Sequence, residues 1–167
     1  MQFSKIGITS KGLIEISYLN HTAFLDQNVR KMGEPPLPTF MDALQDLAQD
    51  MNDICDLRVI RPTKALFVRS VNFKMHDDFG LGISITAERL LDNGKSYKIT
   101  GPVFWSEGKH TLPLDTMRKT ELLQTEATKY LNGERLQGRL NLPPSKPQSQ
   151  TEHPADQNNQ PYPTCEE

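Results

Sequence analysis

Apolar and polar residues alternate in two short runs at the start of the chain. Phe3 to Thr9 and Leu13 to Leu19 are rich in Ile, Phe and Tyr and are separated by Ser-Lys-Gly. In the second run Ile14, Ile16 and Tyr18 alternate with Glu15 and Ser17, the period of a strand with one buried and one wet face. The pair reads as a β-hairpin. From Asn20 to Pro38 no period is sustained and the stretch ends in EPPLP, so a loop closed by a rigid extended segment is expected there.

The period then lengthens. Phe40, Leu44, Leu47, Met51 and Ile54 or Cys55 recur every three or four residues, an apolar stripe that predicts one helix from Phe40 to about Leu57. Thr39 stands at the N-cap position, with Asp42 as a weaker acidic stand-in for the Glu or Gln of a capping box. The opposite, solvated face carries Asp42, Asp46, Asp50, Asp53 and Asp56, and the helix contains no Lys or Arg. Asp53 and Asp56 oppose the helix dipole, a small cost that solvation offsets.

Three more strands follow. Lys64 to His76 places Phe67, Val71 and Phe73 on one parity and turns at Asp77-Asp78-Phe79-Gly80. Leu81, Ile83, Ile85 and Ala87 alternate with Gly82, Ser84, Thr86 and Glu88, and Asp92-Asn93-Gly94 turns the chain into a last strand from about Lys95 to Val103, ending near Phe104 and Trp105. Pro113 and Leu114 introduce a second helix reaching Leu131 or Leu136, with Leu123, Ala127, Tyr130 and Leu131 as its buried stripe. The order ββαβββα predicts an α+β domain: a five-stranded, mainly antiparallel sheet with both helices on one face. A small OB-like barrel is the alternative, although its usual helix follows the third strand. An open sheet leaves two edges, through which a homodimer could form.

Composition changes this picture at the C-terminus. The chain has 167 residues and only 36% hydrophobic positions, and residues 142–167 hold six of the twelve prolines, one lysine and four acids. Residues 1–141 are therefore read as a single domain and 142–167 as a disordered, acidic, Pro/Gln/Asn-rich tail. The formal net charge of -2 removes any whole-chain case for binding polyanions and leaves local patches. Two cysteines make neither a disulfide framework nor a metal cluster, so no metal and no cofactor is expected. No apolar run approaches the roughly 18 residues of a membrane span, and MQFSKIGITSKG lacks a signal peptide's apolar stretch, so a cytoplasmic protein without membrane partners is expected.

The strand FSKIGI, the helix entry PPLPTFMDALQDL with its Ile54-Cys55-Asp56-Leu57 end, and the hairpin GISITAERLLDNGK carry a resemblance. Together they resemble small uncharacterised proteins encoded in the early or replication regions of tailed bacteriophages. The resemblance spans residues 1 to about 105 and implies a setting in the host cell cytoplasm, with no catalytic residue to carry over.

Basic and aromatic residues interleave between Arg58 and Lys109, where nine basic residues face five acids among Phe67, Phe73, Phe79, Tyr97, Phe104 and Trp105. Single-stranded nucleic-acid sites combine basic grooves with aromatic platforms, because stacking accepts any base while cations hold phosphates. Arg69, Lys74, Lys95, Tyr97, Lys98 and Trp105 are the candidate contacts. Phe67 and Phe73 are expected in the core, with Arg69 at an edge or bulge. An ordinary solvated sheet face accounts for the same residues. The acidic helix supports a different reading, an inhibitor or adaptor that presents Asp46, Asp50 and Asp53 to a host protein, against the plainer one of a solubilising surface. The four histidines are scattered singly and no nucleophile, acid–base or phosphate-cradling motif is present, so a non-enzymatic accessory protein is expected.

Overall fold

The computed structural model describes residues 1–21, 25–91, 93–108 and 111–136, and residues 1–137 form one compact unit. The predicted tail lies outside the described residues. The strands are β1 (Gln2–Ile8), β2 (Ile14–His21), β3 (Leu25–Met32), β4 (Leu66–His76), β5 (Gly80–Leu90), β6 (Ser96–Thr100) and β7 (Phe104–Trp105). The helices are α1 (Pro38–Gln45), α2 (Leu47–Ile54), the single turn α3 (Pro62–Ala65) and α4 (Leu114–Leu131). All strand pairs are antiparallel, in the order β3-β2-β1-β4-β5-β6, with β7 also on β5. The protein is thus α+β with an open antiparallel sheet rather than a barrel.

One face of the sheet supplies Ile6, Ile16, Val68, Val71, Ile83 and Ile85 to a single core, into which α1 and α2 insert Phe40, Leu44, Leu47 and Met51, and α4 inserts Leu123, Ala127 and Tyr130. Hydrophobic burial drives this assembly, and it follows the stripes read from the sequence. Glu126 enters the same helix layer fully paired: Thr39 Oγ1 donates to it at 2.5 Å and Lys129 Nζ at 2.7 Å. Tyr130 donates its hydroxyl to the Glu34 carbonyl at 2.5 Å, and Arg135 pairs with Glu34 at 2.9 Å, tying the end of α4 to the approach to α1.

Four expectations are corrected. The segment expected to be a loop contains β3, an edge strand whose sequence LDQNVRKM is polar on both faces and so carries no alternation. The long helix is two, joined at Asp46, whose N–H still bonds to the Asp42 carbonyl at 2.8 Å, so the apolar stripe runs on across the join. Thr39 is not the cap: α1 begins at Pro38, whose fixed φ suits the first turn, and the threonine hydroxyl is committed to Glu126. Phe67 is 39% exposed rather than in the core, because the register of β4 against β5 slips between Val68 and Ser70. That bulge adds Arg69 and reverses parity, so Phe67 and Phe73 face opposite sides.

Candidate nucleic-acid interface

Among the described residues the second face of the sheet adds no side chain to the apolar core, and the register fixes which side chains meet on it. One row across the strands reads Lys31, Glu15, Gly7, Ser70, Thr86 and Thr100, from β3 to β6. The neighbouring row reads Val29, Ser17, Lys5, Asn72 and Ser84. On the other flank Phe67, Glu88 and Lys98 stand opposite one another on β4, β5 and β6. Small hydroxyl side chains thus form the floor, and long charged ones the walls. A groove of about 480 Å³ runs between Lys5, Glu15, Arg69, Glu88 and Lys98 above Ser70 and Thr86. Gly7 keeps this floor low: a Cβ there would collide with Ser70 and the Arg69 carbonyl, so only glycine lets β1 and β4 pair so closely.

Two carboxylates temper the positive charge. Glu15 receives Lys5 Nζ at 2.6 Å, with Lys31 at 3.6 Å, and the Lys5 hydrogen bond holds its carboxyl below the ordinary range. Glu88 accepts from Ser96, which lowers its pKa most, and from Arg69, whose Nε lies 2.6 Å away. Both acids therefore stay ionised at neutral pH. Lys74 and Lys98 form no ion pair among the described residues and present full charges to solvent.

Aromatic groups mark both ends of this face. At one end the Arg69 guanidinium sits 4.6 Å from the centre of the exposed Phe67 ring. At the other, Lys74, Gly82 and Trp105 form a transverse row on β4, β5 and β7, and the indole lies over Gly82 where a side chain would otherwise stand. Trp105 packs with His76 at 5.5 Å and Phe79 at 6.0 Å between ring centres. Phe67 and His76 are nine residues apart on β4, about 30 Å at roughly 3.3 Å per residue.

Of the candidate contacts, Arg69, Lys74, Lys98 and Trp105 share this second face of the sheet. Tyr97 lies on the other face at the sheet's margin, where its hydroxyl accepts from Arg89 at 3.2 Å, and Lys95 closes the turn before β6 by accepting the Leu91 N–H at 2.8 Å. The sequence reading named Phe67 and Phe79 among the interleaved aromatics without choosing them as contacts, and left out Lys5, His76 and the hydroxyl floor. Their signal was present in the alternation of β1, β4 and β5, but it needed the register to align it.

The acidic helix face is smaller than expected. Asp46 and Asp53 are exposed, and Asp53 accepts from Gln49 at 2.7 Å, but Asp50 is only 8% exposed. It accepts from Thr116 and, at 2.8 Å, from Lys119, so its charge ties α2 to α4 instead of facing a partner. Among the described residues no group of three His, Cys, Asp or Glu could hold a metal ion, and no helix is long and apolar enough to cross a membrane. Compared with protein-family models, curated proteins and solved structures, the chain has no match.

Proposed function

We propose that this protein is a non-enzymatic accessory factor that binds single-stranded nucleic acid along the second face of its sheet, in the phage replication or recombination setting that the sequence resemblance suggests. The observation that carries this reading is the coincidence, on one face, of cations and accessible rings: unpaired Lys74 beside the half-buried Trp105 at one end, and unpaired Lys98 with the Glu88-paired Arg69 over the exposed Phe67 at the other. Rings at the ends offer sequence-tolerant stacking, and the cations between them suit a phosphate backbone. Of the floor, Ser70 and Thr86 are buried and Thr86 shares a hydrogen bond with Thr100, so the hydroxyl of the exposed Thr100 is the one best placed to meet a sugar or phosphate oxygen.

The test is fluorescence anisotropy with labelled single-stranded oligonucleotides at low and moderate salt, joined to quenching of Trp105, the sole tryptophan. Binding that weakens with salt, quenches the indole and falls on Lys74→Glu and Lys98→Glu is the expected result. Absence of binding at low salt rejects the proposal, and binding without any change in Trp105 emission removes the stacking role of that end.

A further inference from the structure

The opposite side of the same sheet margin carries a second basic surface. Between α2 and α3 the chain reads Arg58-Val59-Ile60-Arg61, with Arg58 held at a positive φ of 54° and Ile60 95% exposed. Together with Ala65 and Arg89 these residues line a hollow of about 540 Å³. Arg58 is partly neutralised by Asp56 at 3.1 Å. The other arginine ion pairs among the described residues involve Arg69 and Arg135, so Arg61 and Arg89 keep their charges uncompensated. Arg89 instead donates to the hydroxyl of the exposed Tyr97. The exposed Ile60 thus shares the hollow with two guanidiniums that have no ion-pair partner among the described residues, and Arg89 carries the surface on to the Tyr97 ring.

The register ties this surface to the proposed binding face. Tyr97 stands opposite Arg89 on β6 and β5, and the very next pair along the same strands is Lys98 opposite Glu88, pointing to the other face. Successive residues of a strand alternate sides and lie about 3.3 Å apart along it, so Lys98 and Tyr97 are neighbours across the outer edge of β6. We infer that the Arg61, Arg89 and Tyr97 surface is a second nucleic-acid contact, reached by a single strand that leaves the groove past Lys98 and passes around the β6 edge. Guanidiniums pair with phosphates, and Tyr97 and Ile60 offer flat or apolar surface to unstacked bases. The charge complementarity selects a polyanion, and the continuity with Lys98 selects the same strand. This inference rests on the proposed function.

Length dependence separates the two contacts. Anisotropy titrations use oligodeoxythymidylates of about five and about sixteen nucleotides, a range spanning single-domain site sizes. The Arg61→Glu and Arg89→Glu double variant is expected to bind the longer oligonucleotide about ten-fold more weakly and the shorter one within about two-fold, with the salt slope for the longer reduced by ~0.7 per lost phosphate contact. Arg61→Glu alone, at an exposed position, gives a smaller change in the same direction, and matching thermal melts for all variants establish that the fold is retained. Unchanged binding of the longer oligonucleotide overturns the inference and leaves the patch to an acidic protein partner. Equal weakening at both lengths overturns it too, since the arginines then act only as a general field. Binding of neither oligonucleotide by the unaltered protein removes the sheet-face reading itself, and this contact with it.

Discussion

The Arg69 guanidinium lies 4.6 Å above the ring of Phe67, two residues earlier on the same strand, because a bulge in β4 turns both toward the second face. The same guanidinium is held by Glu88, so its charge is shared between a ring, a carboxylate and any incoming phosphate. If the face binds nucleic acid as proposed, Glu88 competes with the phosphate for Arg69. Replacing it as Glu88→Gln removes one negative charge from the groove and frees Arg69, and is expected to tighten single-stranded oligonucleotide binding about two- to five-fold and steepen its salt dependence. Phe67→Ala is expected to weaken binding by about 1–3 kcal/mol through lost stacking. Anisotropy at two salt concentrations checks both, and a Glu88→Gln protein that binds no better counts against phosphate contact by Arg69.

Trp105 owes its position to Gly82. A Cβ at residue 82 would overlap the indole and crowd Val103, so Gly82→Ala must displace the ring that completes the cluster with His76 and Phe79. The expected outcome is a red shift in tryptophan emission as the indole becomes wetter, a loss of roughly 1–3 kcal/mol from overpacking, and weaker oligonucleotide binding at that end. Unchanged emission with unchanged affinity would mean that the indole has no fixed seat on the face.

Asp50 separates the structural from the surface acids of α2. Asp50→Ala leaves Thr116 and the half-buried Lys119 without their shared carboxylate, and is expected to lower stability by about 2–4 kcal/mol. Asp46→Asn and Asp53→Asn, at solvated positions, are each expected to change it by less than about 0.5 kcal/mol. Urea denaturation of the three variants gives the comparison directly. Three equal small losses would return Asp50 to the solvated face.

What the sequence made legible follows from how local the determining contacts are. The stripe of α4 and the alternation of β2 and β5 are written in neighbouring residues, and both appear where the periods place them. β3 escaped because an edge strand can be polar on both faces and still pair fully with β2 through eight residues. An edge or bulge at Arg69 was legible, but its consequence was not: parity is read by counting, one extra residue shifts every position beyond it, and Phe67 was therefore assigned to the side of Phe73. Asp50 escaped because its partners lie 66 and 69 residues downstream on another helix, so nothing around it in the chain marks it as buried. The candidate face was legible in ingredients, Arg69, Lys74, Lys98 and Trp105, but its unity was not, since the register decides which of them share a side.

Acid stability offers a test of the helix layer that is independent of any ligand. Glu126 is buried, and Lys129 first and then Thr39 stabilise its carboxylate, which holds its pKa below the ordinary 4.5. A depressed folded pKa means that the unfolded chain takes up the proton first as pH falls. The contribution of Glu126 to stability is therefore complete above about pH 5 and is lost as pH falls below the ordinary value and through the depressed one. Glu126→Gln is expected to cost about 1–3 kcal/mol at neutral pH, because a neutral amide cannot replace the charge-assisted bonds to both partners. At pH 3.5 that cost should shrink, since the native carboxylate is by then losing its advantage. Thr39→Val removes one of the two donors and should give a smaller loss at neutral pH with the same trend. Urea melts of the three proteins at pH 7 and pH 3.5 supply the numbers. A Glu126→Gln penalty that is the same at both pH values would show that packing, rather than the charge held between α1 and α4, is what the residue contributes.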